Sequence, residues 1–174
     1  MDYVVAIISS NRSDSINNKT ISLLNYYKID LTRVYVFVAK NEIEDYKKIL
    51  DKDITIIQGG VGIQKQREAI SNYFEEGQPI CSMDDDLINI CSVVNDKLYK
   101  IECLESLILD FFCLMDENNC NLSGLYPVAN PYFMKNRITL DLRFIIGNFR
   151  CFKNIKRLER RKFILLEDYE CSLK

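Results

Sequence analysis

Residues 79–86 read Pro79-Ile80-Cys81-Ser82-Met83-Asp84-Asp85-Asp86, a short apolar run that ends in three consecutive carboxylates. An apolar run of this length is the signature of a strand buried on both faces, the usual state of a strand in a parallel sheet. Acids at the C-terminal end of such a strand stand where open α/β sheets hold their ligands. Adjacent carboxylates repel unless water, cations or a metal offset them. Two readings are open for the triplet. It is either a set of hard oxygen ligands for Mg²⁺ or Mn²⁺ gripping a diphosphate, or a bland feature, a solvated acidic turn or acids lying near the start of a helix.

Working back from this stretch, strand and helix signals alternate. Residues 3–8 (YVVAII) form a continuous apolar run, followed by the polar loop Ser9-Ser10-Asn11-Arg12, with Ser13 or Asp14 placed to cap a helix. Ile16, Thr20, Leu23, Leu24 and Tyr27 then recur at helical spacing. Residues 33–39 (RVYVFVA) read as a second buried strand, and Ile43, Tyr46, Ile49 and Leu50 mark one face of a short helix. A third strand at 53–57 leads through Gln58-Gly59-Gly60-Val61-Gly62 into a helix over 63–74, stopped by Gly77-Gln78-Pro79. The order strand, helix, strand, helix, strand, helix, strand predicts an α/β fold with a mostly parallel, Rossmann-like central sheet flanked by helices. Working forward, an amphipathic helix is expected over 101–115, then strands at 122–128 and 138–146, making a mixed C-terminal part. The 174 residues read as a single domain, a ligand-binding half at 1–90 and a second half at 91–174. The chain stops inside a helix-like run, as a first domain of a longer chain would.

Composition excludes several chemistries. With no histidine, Ser-His-Asp and Cys-His catalysis and histidine-ligated zinc are ruled out. The 23 basic and 25 acidic residues supply no general field for a nucleic-acid backbone. The seven cysteines, Cys81, Cys91, Cys103, Cys113, Cys120, Cys151 and Cys171, are odd in number and contain no C-x-x-C pair. Buried free thiols in a reducing compartment are therefore expected. No leader-like or membrane-spanning segment is read from the sequence, so the expectation is a cytoplasmic domain.

Other residues are candidates for chemistry. Glu167-Asp168 follows the apolar run Phe163-Ile164-Leu165-Leu166, which makes Asp168 a general base at the lip of the sheet or an acid in the first turn of a helix. Gly59-Gly60-Val61-Gly62 either presents amides to an anion or is a tight strand-to-helix turn; it is neither G-x-G-x-x-G nor a P-loop. Arg67 faces either the ligand crevice or solvent. The basic run Arg150, Lys153, Lys156, Arg157, Arg160, Arg161 and Lys162 reads by default as a solvated face, and otherwise as a cationic loop that neutralises a leaving diphosphate.

In their order along the chain, these segments resemble the GT-A glycosyltransferases, in particular inverting enzymes of the large family 2 type. The first strand with Ser9-Ser10-Asn11-Arg12 is similar to that family's first nucleotide-binding loop. Gly62-Ile63-Gln64-Lys65-Gln66-Arg67 resembles its G-x-x-x-A-R-N segment, with Gln66 and Glu68 in place of the usual Ala and Asn. Ser82-Met83-Asp84-Asp85-Asp86 matches the DXD motif, and Leu166-Glu167-Asp168 the x-E-D motif. The Asn-, Ile- and Lys-rich composition also resembles glycosyltransferase domains of large DNA viruses that infect algae.

The resemblance implies a metal-dependent inverting transfer from a nucleoside-diphosphate sugar, UDP-sugar preferred, to a hydroxyl of a glycan or other acceptor. It implies Mn²⁺ or Mg²⁺ at Asp86 and Asp84. It implies donor contacts from Ser9, Ser10, Arg12, Ala39, Lys40, Asn41, Gly62, Gln64, Arg67, Asp84 and Asp85, and a catalytic base at Asp168. Many GT-A enzymes add a metal ligand near the C-terminus, often histidine; without one, weak metal binding before the nucleotide arrives is expected. Acceptor specificity is expected around 126–137 and 147–153, with no nucleic-acid partner and no membrane segment. The rivals are a sugar-nucleotide nucleotidyltransferase, which would normally carry a glycine-rich loop after the first strand, and a non-catalytic sugar- or metal-binding domain.

Overall fold

The structure is a computed structural model that describes residues 2–126, 128–135, 137–140 and 144–156. Four strands form the parallel part: β1 (Val4–Ile8), β2 (Val34–Val38), β3 (Thr55–Gln58) and β4 (Pro79–Asp84). β1 pairs in parallel with β2 and with β4, and β2 with β3. Two antiparallel strands, β7 (Leu122–Gly124) and β8 (Phe149–Lys153), complete a six-stranded sheet in the order β3-β2-β1-β4-β8-β7. A separate hairpin is made by β5 (Cys91–Val94) and β6 (Lys97–Lys100).

The helices cover both faces. α1 (Ser13–Ile16), a π-helical turn (Asn17–Ile21) and α2 (Ser22–Tyr26) run in succession, followed by α3 (Ile43–Ile49), α4 (Ile63–Tyr73) and α5 (Leu104–Glu117). On one face Val5, Ile7, Val36, Val38, Cys81, Met83 and Phe149 meet Ile16 and Leu24 beside the π turn, Tyr46 of α3, and Leu104, Ile108, Phe112 and Met115 of α5. On the other, Ala6, Ile8, Phe37, Ile80 and Phe152 meet Ile70 and Phe74 at the end of α4. Alternate residues of one strand thus feed two cores, the two-sided burial that continuous apolar runs require.

The parallel half follows the expected pattern, and the second half departs from it. The expected strand at 122–128 is only β7, because Pro127 and Pro131 sit in the following segment and proline cannot donate to a sheet. Residues 138–140 and 144–146 are not strand, and the side chains of Ile138 and Leu140 are exposed; 141–143 lie outside the described residues. The sixth strand is instead β8, whose F-R-C-F-K sequence has Arg150 and Lys153 interrupting the apolar run. The β5–β6 hairpin was not expected from the sequence. Its Asn95-Asp96 turn has φ of 50° and 56°, the left-handed pair that two-residue hairpins use and that Asn and Asp tolerate. The first helix starts at Ser13 with Arg12 as its cap residue and no side-chain cap bond, so neither Ser13 nor Asp14 caps it.

Among the described residues no helix is long and apolar enough to cross a membrane. The six described cysteines are free. Cys81 and Cys151, register partners across β4 and β8, are buried as expected, whereas Cys103 and Cys113 are exposed. The Cys103 sulfur accepts the Ser106 amide at 3.4 Å, so this thiol caps α5 and faces outward.

Candidate functional site

The chain leaves β1 toward β2 on one side and returns as β4 on the other, so the sheet order reverses between β1 and β4. The crevice beyond the carboxyl ends of two such strands is the common ligand site of open α/β sheets. Register pairs Ile8 with Asp84, so the loop Ser9–Arg12 and the triplet Asp84–Asp86 leave the sheet side by side.

The three aspartates go to different places. Asp84 continues the Ile80, Ser82 alternation and belongs to the α4 side. Its carbonyl accepts Thr20 Oγ1 at 2.8 Å, and Thr20 Oγ1 in turn accepts the Leu87 amide at 3.0 Å. Thr20 lies on the π turn, a helix irregularity often found at functional sites. It staples the turn that carries all three acids. The Asp84 amide donates to Asn148 O at 3.0 Å, which fixes the far side of the same turn.

Asp85 points to the α3 side and is buried at 5% exposure. Its Oδ2 accepts Ser9 Oγ, and its Oδ1 accepts Arg12 Nη1 at 2.7 Å. Ser9 has one hydroxyl hydrogen, which goes to Asp85, so the 2.6 Å contact between Ser9 Oγ and Tyr46 OH is donated by the tyrosine. Tyr46 OH then accepts the Arg12 amide at 3.2 Å. The result is a directed chain from the Arg12 amide through Tyr46 and Ser9 to Asp85, in which each bond polarises the next. Burial raises the Tyr46 phenol above its ordinary pKa and keeps it a donor at neutral pH. Glu42 secures the rest of the loop, accepting Ser10 Oγ at 3.1 Å and the Asn11 amide at 2.7 Å. Asn11 sits at φ 52°, a left-handed position suited to asparagine.

Asp86 is the exposed member. Its side chain is 43% accessible and its Oδ2 accepts the same Arg12 Nη1 at 2.8 Å. Its hydrogen bonds to Asp85 first and Asp86 second raise the Arg12 pKa further, so the guanidinium is charged at every working pH. Among the described residues no three acidic or cysteine side chains converge as a ready-made metal cage. Strand alternation separates Asp84 from Asp85, and Arg12 draws Asp86 toward the loop.

On the opposite side, Gly62 caps α4 with φ 90°, a conformation that suits glycine. A Cβ on Gly59 would lie 1.7 Å from Gln66 Oε1, so any larger residue there would make the Gln66 side chain shift. Gln66 and Arg67 are both buried, at 3% exposure, so Arg67 faces the protein interior and not solvent. Gln64 donates to Glu68 at 3.0 Å along the helix. Ala39 is buried at the start of a short 3₁₀ turn, Lys40–Glu42, in which Asn41 is exposed. Arg150, read as part of a solvated face, is instead 2% exposed, with its guanidinium carbon 5.4 Å from the Phe152 ring centre. Lys153 is ion-paired with Asp116. Lys156 is exposed, and Asp168 and the remaining basic residues, Arg157, Arg160, Arg161 and Lys162, lie outside the described residues, as does Cys171.

The structure therefore brings Ser9, Ser10, Arg12, Asp85 and Asp86 into one network, with Asp84 at its edge, and sets Gly62, Gln64 and Arg67 on α4. It adds Tyr46, Thr20 and Glu42, none of which had been singled out for function. Tyr46 carried a signal, a phenol on an otherwise aliphatic helix face, but its spacing alone reads as core. An open cleft of about 710 Å³ lies between the hairpin turn and the 131–135 segment, lined by Asp96, Pro131, Tyr132 and Lys135. No protein-family model matches this sequence, and no curated protein is significantly similar to it.

Proposed function

We propose that this domain is a GT-A-type, metal-dependent inverting glycosyltransferase that moves a sugar from a nucleoside-diphosphate donor, UDP-sugar preferred, to a hydroxyl of a glycan acceptor. One observation carries the reading: a parallel strand ending in three aspartates beside a fixed polar loop, at the point where the sheet order reverses. Such a crevice takes the phosphates and sugar of a nucleotide.

The donor set fits a hard divalent ion. All candidate ligands are carboxylate oxygens, one of them solvent-accessible on Asp86, and the α4-side carboxylate of Asp84 leaves the same turn. Asp86 would hold Mn²⁺ or Mg²⁺ together with the donor's own phosphates, and Asp84, on the α4 side of the same turn, would join it only by turning toward the crevice. When bound, that ion supplies charge neutralisation for the departing diphosphate. Ser9, Tyr46 and Asp85 hold the loop that would border the nucleoside, so its geometry is set before the donor arrives. Asp168 takes the base role by resemblance: it removes the proton of the acceptor hydroxyl as the oxygen bonds to the anomeric carbon. The bond to the diphosphate breaks in the same displacement, which inverts the centre. By the same resemblance the acceptor is expected along the segment carrying Tyr132 and Lys135, where an exposed ring and a positive charge suit the faces and hydroxyls of a sugar.

The test is UDP release from UDP-glucose, UDP-galactose and UDP-N-acetylglucosamine with Mn²⁺, comparing the wild type with Asp168→Asn. The expected result is release by the wild type from one donor and a loss of at least a hundredfold in the variant with UDP binding retained. Full turnover by Asp168→Asn contradicts the assigned mechanism, and UDP binding without any release returns the protein to the binding-domain reading.

A further inference from the structure

A single guanidinium nitrogen, Arg12 Nη1, lies 2.7 Å from Asp85 Oδ1 and 2.8 Å from Asp86 Oδ2. The two carboxylates hold it unequally. Asp85 is buried, with its other oxygen on Ser9, and a charge in that position cannot shed its partner without remaining unpaired in the interior. Asp86 is 43% accessible, and water can replace the arginine there at little cost. The Arg12 backbone is also fixed: its amide donates to Tyr46 OH, and its carbonyl accepts the Ser15 and Ile16 amides at the start of α1. The guanidinium can therefore leave Asp86 while it stays on Asp85, with no movement of the loop.

We propose that Arg12 is a resident cation for the Asp86 carboxylate. It competes with a divalent ion there and makes metal binding conditional on the nucleoside diphosphate. This rests on the metal-dependent donor reading above. Without nucleotide, an incoming dication meets a resident positive charge on Asp86, the exposed carboxylate of the triplet. At a separation of about 5 Å, even water's dielectric constant makes that repulsion worth roughly tenfold in affinity. A diphosphate changes the balance, because it brings negative charge for both the ion and the arginine. Arg12 thereby couples the two ligands.

The experiment is Mn²⁺ binding followed by electron paramagnetic resonance at low ionic strength, with and without UDP, for the wild type, Arg12→Gln and Arg12→Lys. Glutamine keeps the backbone bonds that start α1, and thermal melting checks that each variant is folded. Arg12→Gln is expected to bind Mn²⁺ roughly tenfold more tightly than the wild type without UDP, and to gain much less from UDP. Arg12→Lys keeps the charge and is expected to stay within about threefold of the wild type. If UDP strengthens Mn²⁺ binding in the wild type while Arg12→Gln matches the wild type without UDP, the arginine proposal is overturned and the donor-site reading stands. If no protein binds Mn²⁺ with or without UDP, both are overturned.

Discussion

On the α3 side of the sheet, Asp85 receives Ser9 and Arg12, and Ser9 receives Tyr46, so each hydroxyl and carboxylate oxygen in the chain is engaged. On the α4 side, the Gln66 carboxamide and the Ser82 hydroxyl are buried as deeply, yet among the described residues neither has a hydrogen-bond partner. A buried polar group that is satisfied holds its neighbours in one arrangement, and one that is not lowers the stability of the fold. The α3 side therefore sets the shape of the loop beside the aspartates. On the α4 side, the described side chains leave the Gln66 carboxamide and the Ser82 hydroxyl unbonded, and a net cost to stability is expected there.

The comparison is broken most severely by Asp85→Ala, which leaves the buried Ser9 hydroxyl without its acceptor and removes half of the Arg12 interaction at once. A loss of about 2–3 kcal/mol is expected, from the usual range for charged hydrogen bonds. For a chain of this size that is a drop in Tm of roughly 5–10 °C. An unchanged Tm would show that the network does not stabilise the fold. Tyr46→Phe removes only the hydroxyl and is expected to cost about 1 kcal/mol in urea unfolding. Gln66→Met keeps the volume but deletes the carboxamide, and it is expected to raise stability by up to about 1 kcal/mol. If Gln66→Met destabilises as much as Tyr46→Phe, the two faces do not differ in the way described.

The smallest expected effect is a pH dependence outside the site. Asp30 caps the 3₁₀ turn Leu31–Arg33, accepting the Thr32 hydroxyl at 2.7 Å and its amide at 3.0 Å. The Thr32 side-chain bond, then its backbone bond, lower the Asp30 pKa. A carboxylate whose folded pKa is depressed adds stability above its unfolded pKa, near 3.9, and loses it as pH falls through the folded value. Thr32→Val is therefore expected to move the Asp30 carboxyl resonance titration upward and to flatten this part of the acid limb of stability. An unmoved titration contradicts the cap.

The same contrast explains what was legible in the sequence. The parallel half could be read because a strand buried on both faces leaves a continuous apolar run, and β1, β2, β3 and β4 all stand within two residues of where those runs place them. β8 was not legible because Arg150 is buried inside it, its charge above Phe152, and an arginine in the middle of a strand interrupts the apolar signal. The β5–β6 hairpin is exposed, alternates weakly and turns through Asn95-Asp96, a pair less distinctive than Asn-Gly. Position at the strand ends was enough to set Ser9, Arg12 and the aspartates side by side, as the network has them. Which carboxylate is buried was beyond sequence reasoning, because it depends on the alternation of β4 at its last residue. Tyr46 and Thr20 escaped notice because their helical spacing places their bodies in the core, while only their oxygens reach the loop.

The most direct test of the central claim, that the crevice at β1 and β4 binds a nucleoside diphosphate with a divalent ion, is calorimetric titration of UDP, GDP and dTDP into the protein with and without Mn²⁺, repeated with Asp86→Ala. The account predicts that one nucleotide, UDP by preference, binds only with Mn²⁺ and that Asp86→Ala abolishes this binding. Binding that is indifferent to Mn²⁺ and to Asp86, or no binding of any of the three nucleotides, would contradict it.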